Sequence, residues 1–182
     1  MNQLKGRRVK RFFLTTIASI ALTTGLASEV AAAPTVDIST VKFQITSAKC
    51  GYLPANTTIN GSGTQKSITN TRTDASGITT IENTTHAYGT ATDNHGNTYV
   101  FNYSNSFRVS NTVANPGTFS GLMTDTFSLA GNGPAQLHNG FVAGITSSDG
   151  FVTASWNVKS SRGDPISFAT GSIEAAHHCD PI

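Results

Sequence analysis

Charge is what this sequence has least of. Asp, Glu, Lys and Arg make up 12% of its 182 residues. They are scattered, with no basic run or patch, so the electrostatic footprint of a nucleic-acid binder is missing. Helical periodicity is also lacking: no segment carries a sustained apolar stripe at helical spacing, which argues against an α-helical core. No Gly-x-Ser-x-Gly elbow, phosphate-binding glycine loop or His-x-x-x-His spacing is present, which leaves the common hydrolase, nucleotide and zinc signatures unrepresented. Cysteine occurs only at Cys50 and Cys179.

Long apolar runs are absent too, except near the start. Lys5, Arg7, Arg8, Lys10 and Arg11 open the chain without an acid among them, and an uncharged stretch follows from Phe12 to Ser28. Small residues then gather at Ala31, Ala32 and Ala33. A basic start, a short apolar middle and a small-x-small site read as a secretory signal over residues 1–33, cleaved after Ala32 or Ala33. The apolar stretch is diluted by threonine and is at the short limit for a membrane span, which needs roughly 20 apolar residues. Removing residues 1–33 leaves seven basic residues against nine acids, a balance of −2. The positive charge therefore belongs to the precursor, and the remaining chain is expected to bind neither nucleic acid nor membrane.

The remaining 149 residues suit one domain, 34–182. Export permits a Cys50–Cys179 bridge, which would tie the first strand to the last segment. Period-2 alternation dominates the rest. Apolar residues at Val41, Phe43 and Ile45 face one way. Residues 57–72 read as a strand that is twisted or at an edge, because Gly61 and Gly63 weaken it. Asp74–Gly77 and Asp93–Asn97 read as turns around 78–92. Tyr99, Phe101, Tyr103 and Phe107 share one face. Residues 118–130 form a strand with Phe119, Met123, Phe127 and Leu129 in phase. The strands 140–147 and 151–158 flank an Asp149-Gly150 hairpin, and Trp156 looks like a core anchor. Residues 159–182 look irregular, with room for a last strand at 166–174. The whole predicts an all-β, antiparallel sandwich or flattened barrel of about seven to eight strands.

Asp125 is the polar residue that stands out. It is in phase with the apolar face of its strand, and a buried carboxylate must find a partner or a proton. Arg72, Arg108 and Arg162 are the available guanidinium groups, with Arg162 the expected one. A structural hydrogen bond or ion pair that fixes register explains such a residue; so does an acid or base lining a cavity. Glu82, Thr84, His86 and Tyr88 share a face that alternation assigns to solvent. His177 and His178 point oppositely on an extended chain beside Cys179, while His95 and His138 stand apart, so no metal or other cofactor is expected. Arg162-Gly163-Asp164 spells an adhesion tripeptide, but Pro165 makes it an ordinary turn. The Asn-x-Ser/Thr sequons at Asn56, Asn60, Asn83 and Asn102 arise readily in so Asn- and Thr-rich a chain.

Three stretches carry a resemblance: Ala91–Tyr99; Gly117-Thr118-Phe119 leading to Met123–Phe127; and Arg162–Pro165 with the closing Cys179-Asp180-Pro181-Ile182. Over roughly residues 86–182 the chain resembles small secreted actinobacterial proteins of uncharacterised function. The resemblance implies a bacterial exported protein and brings no catalytic residue with it. Two functions are compatible with the residues. One is a non-enzymatic extracellular domain that binds a small apolar molecule or a cell-envelope component through Tyr99, Phe101, Tyr103, Phe107 and Asp125. The other is a secreted barrel enzyme using Asp125 as acid or base on a ligand in its interior.

Overall fold

The computed structural model describes residues 30–148 and 155–163, with the backbone alone at 30, 156, 158 and 160–163. Every regular element among them is a β-strand: β1 (Val30–Ala31), β2 (Thr35–Thr46), β3 (Thr58–Thr73), β4 (Thr79–Asp93), β5 (Thr98–Ser110), β6 (Phe119–Gly131), β7 (Leu137–Ser147) and β8 (Ser155–Gly163). From β2 onward each strand pairs antiparallel with the next in sequence. The short β1 extends the same edge of β3 that β2 occupies. Over the described residues the protein is therefore all-β and antiparallel, a meander in one sheet rather than two packed sheets. No ladder joins β2 to β8 among the described residues, so the sheet as described is open.

It is far from flat. Phe43 on β2 and Phe127 on β6 are four ladder steps apart, about 19 Å on a flat sheet at roughly 4.8 Å per step. Their ring centroids are 6.1 Å apart, nearly perpendicular, and Phe43 meets Phe101 of β5 edge-to-face at 4.9 Å. Only a sheet rolled back toward its own first strand brings those rings together. From Ser39 on β2 through β7 the odd-numbered residues are in general the more buried and line the inside of the roll, whereas Thr35 to Ile38 at the start of β2 are all exposed.

Glycine makes the roll tight. A Cβ at Gly61 would overlap the ring of Phe43. One at Gly89 would collide with the Ser62 carbonyl oxygen and the ring of Phe101. Bare backbone on β3 and β4 lets these rings lie down on the sheet, where they cover it in place of side chains. β3 is consequently an interior strand between β2 and β4, which excludes the edge placement, one of the two readings (twisted or at an edge) that its glycines allow. Its weakness in isolation is offset by aromatic rings from two other strands.

The inner face holds two apolar clusters. The larger joins Phe43, Ile45, Ile59, Phe101, Phe127, Leu129 and Leu137 with Cys50 and Leu53 from the turn after β2. The smaller joins Met123, Phe141 and Ala143, with Phe107 packed against it. Two Asp-led turns close the hairpins on either side of β4. Asp74 Oδ1 accepts from the amides of Ser76 and Ile78, and Asp93 Oδ1 from those of His95 and Asn97. Gly77 and Gly96 supply positive φ at 86° and 84°. Residues 159–163 continue β8 and are not irregular. The signal segment up to residue 29, the Asp149-Gly150 hairpin, the 166–174 strand, Asp164-Pro165, His177, His178 and Cys179 lie outside the described residues.

Candidate functional site

Between the two apolar clusters the inner face turns polar. Cross-strand register places Ser67, Thr85, Asn105 and Asp125 in one row across β3, β4, β5 and β6. Side chains at successive positions of such a row point the same way at ladder spacing, so they form a continuous stripe. At the β6 end, Asp125 is 1% exposed. Its Oδ2 accepts from the Tyr103 hydroxyl at 2.7 Å and from Asn105 Nδ2 at 2.8 Å. Hydrogen bonds to a charged acceptor are each worth about 1.5–3 kcal/mol, which offsets part of the cost of burying a carboxylate.

At the β3–β4 end, Asn83 Nδ2 donates to Ser67 Oγ and Thr69 Oγ1, both at 2.9 Å. Thr85 Oγ1 lies 3.0 Å from both Ser67 Oγ and Asn83 Oδ1. These side chains, with Gln65, are only half-buried. One wall of the concave face is thus hydroxyl- and amide-lined, and the other is built from Phe107, Met123 and Phe141. Tyr103, Asn105 and Asp125 form the seam between them. Asn139 faces the same interior from β7, 1% exposed, and its Oδ1 has no hydrogen-bond partner among the described residues.

The aromatic face expected from the sequence divides in two. Tyr99 and Phe101, each 2% exposed, belong to the larger cluster. The Tyr99 hydroxyl is committed to Asp93 Oδ2 at 2.8 Å; burial and that bond both raise its pKa. Tyr103 and Phe107 are the half-buried pair, beside Asp125. Burial alone would raise the Asp93 carboxyl, but the side chain and amide of Asn97, the Tyr99 hydroxyl and the His95 amide together hold it down at about 2. It is a turn lock.

Arg72 is exposed on the outer face of β3, and Arg108 pairs with Glu82 at 3.3 Å on the outside of β4–β5. Arg162 stands opposite Gly140 in the β7–β8 ladder; its side chain lies outside the described part of the molecule. Glu82, Thr84, His86 and Tyr88 all take the outer face, with Tyr88 62% exposed. A shallow outer depression of about 310 Å³ is lined by His86, Tyr88, Asn102, Ser104, Ser128 and His138. No three His, Cys, Asp or Glu side chains converge among the described residues. No described helix is long and apolar enough to cross a membrane.

Ser67, Thr85, Asn105 and Asn139 are inner-face residues that sequence reading passed over. Asn105 is in phase with Tyr103 and Phe107, so its signal was present as a polar residue inside an aromatic stripe. Asn139 precedes the strand expected at 140–147, and only the observed start of β7 at Leu137 assigns it a face. No protein-family model matches this chain, and no curated protein or solved structure matches it. The actinobacterial resemblance thus stands on its motif residues alone.

Proposed function

We propose that this is a secreted, non-enzymatic domain that binds a small amphipathic molecule, free or as part of the cell envelope, inside its rolled sheet. Export would follow from the signal over residues 1–33, and the exported chain would carry the Cys50–Cys179 bridge. The observation that supports binding is the polar row Ser67–Thr85–Asn105–Asp125, half-buried at Ser67 and Thr85 and buried at Asn105 and Asp125, lying between two apolar clusters. A core built only for stability gains nothing from such a row, since each group must be desolvated and re-paired. A ligand with an apolar body and polar substituents matches both walls. Cleavage after Ala32 or Ala33 would remove β1 and leave β2, which carries Phe43, intact.

The test is saturable uptake of Nile red, a neutral amphipathic dye, by the purified protein. Thr85→Trp fills the cleft from its half-buried wall and should abolish uptake with the β-sheet circular dichroism unchanged. Non-saturable uptake, or uptake indifferent to Thr85→Trp, would sink the reading. Native mass spectrometry of the secreted protein should in addition find a small-molecule adduct. The 2.7 Å Tyr103–Asp125 bond favours a second reading, a proton-transfer pair acting on that ligand. Recovery of a chemically altered adduct, lost in Tyr103→Phe, would support it.

A further inference from the structure

One margin of the sheet is bare. Among the described residues β2 pairs with β3 alone, in an unbroken register from Thr35 opposite Thr69 to Thr46 opposite Thr58. Its other side presents a row of backbone N–H and C=O groups, a template for one more strand. Sheet edges are ordinarily blunted by short length, proline, a bulge or lysine. β2 runs for 12 residues, and from Thr35 to Val41 it has no proline, bulge or lysine. The roll does not shield this end. Thr35 to Ile38 are exposed on both faces, and Val36 and Ile38 are 53% and 67% exposed on the outer one. A long edge with adjacent apolar side chains in water is a pairing site.

We infer that this edge pairs antiparallel with the same edge of a second copy, across a two-fold axis. The strand's own residues argue for that occupant. A two-fold normal to the sheet sets inner positions opposite inner and outer opposite outer, so one residue of β2 must face itself. Asp37 cannot, because like charges directly opposite repel. Centring on Ser39 sets Val36 against Lys42 and Asp37 against Val41; centring on Thr40 sets Ile38 against Lys42 and Asp37 against Phe43. Centring on Ile38 sets Ile38 against itself, Val36 against Thr40, Asp37 against Ser39 and Thr35 against Val41. Of these registers, the one about Ile38 pairs apolar with apolar at its centre and places the carboxylate beside a hydroxyl. A strand laid on a strand is small next to the roughly 1,000 Å² that a stable interface exceeds, so the dimer is weak and concentration-dependent. It forms outside the roll and is independent of the interior site proposed above.

The experiment is sedimentation equilibrium of the purified protein at pH 7, from about 1 μM to about 1 mM, the span of weak association. The average mass should rise from one chain to two and stop there. Ile38→Lys changes a mostly exposed side chain, so the domain should still fold, and association should weaken at least about tenfold. Oxidative cross-linking tests the register. Opposite Cβ atoms lie within about 5.5 Å, so Ile38→Cys should trap a covalent dimer. Thr40→Cys should not, because in that register its two copies are roughly 14 Å apart. A protein monomeric throughout the range, a dimer indifferent to Ile38→Lys, or cross-linking at position 40 instead of 38 would overturn the inference. Growth beyond the dimer would do so too, since it means pairing with an unlike edge, which does not close. None of these outcomes bears on Nile red uptake, by which the interior site stands or falls.

Discussion

Asp93 and Asp125 are both carboxylates on the inner face, yet their surroundings differ, and so should the consequences of altering them. Asp93 meets four donors contributed by three neighbouring residues. Its folded pKa of about 2 lies below the ordinary 3.8. A depressed carboxylate stabilises the fold above its unfolded pKa, and that contribution is lost as pH falls through the folded one. The loss should therefore run from about pH 4 down to about pH 2. We expect Asp93→Asn to lower the urea midpoint at pH 7 and to flatten its fall across that window; a variant that keeps the wild-type slope would remove Asp93 from the account. Gly89 tests the close approach of Phe101 in the same manner. Gly89→Ala pushes a methyl group into the Ser62 carbonyl and the aromatic ring, and should cost about 1–3 kcal/mol of unfolding free energy, as overpacking of a filled interior does.

At the scale of elements, what distinguishes this sheet is which non-neighbouring strands touch. β2 and β6 share no hydrogen bonds, yet Phe43 and Phe127 meet at 6.1 Å. A double-mutant cycle with Phe43→Leu and Phe127→Leu should give a coupling of about 0.5–1.5 kcal/mol, the range for an aromatic pair beyond its buried area. Zero coupling would mean that the sheet is not rolled in solution. This contact also marks where sequence reading stops. Strand existence and facing follow from alternation, which is how Phe43, Phe101, Asp125 and Phe127 could all be assigned inward in advance. Curvature has no period. It depends on Gly61 and Gly89 meeting rings from strands remote in sequence, so β3 reads only as twisted or at an edge when considered alone. The candidate site was legible to the same extent. Asp125 and Tyr103 announce themselves by phase, whereas the Ser67–Thr85–Asn105–Asp125 row needs three registers, and register is set by hairpin turns and cross-strand packing.

The whole molecule is a chain of local pairings with one long-range requirement. Each ladder from β2 to β8 joins consecutive strands, an arrangement of low contact order that closes only short loops as it forms. Nothing in those ladders holds the β2 end of the sheet near the β6 end; side-chain packing does that, and the proposed bridge would reinforce it. Cys50 is 0% exposed within the larger cluster, directly after β2. A bond from there to Cys179 would close a loop of about 130 residues, which chain entropy values at roughly 4–5 kcal/mol. That is a large fraction of the stability of a domain this size. We therefore expect a reductant to lower the urea midpoint sharply, and Cys179→Ser to reproduce the loss without one. The variant should also bind Nile red more weakly, because a sheet free to unroll loses the facing walls of the cleft before it loses its ladders. Two thiols alkylated in the native protein, or a midpoint indifferent to reductant, would mean that aromatic packing alone holds the roll.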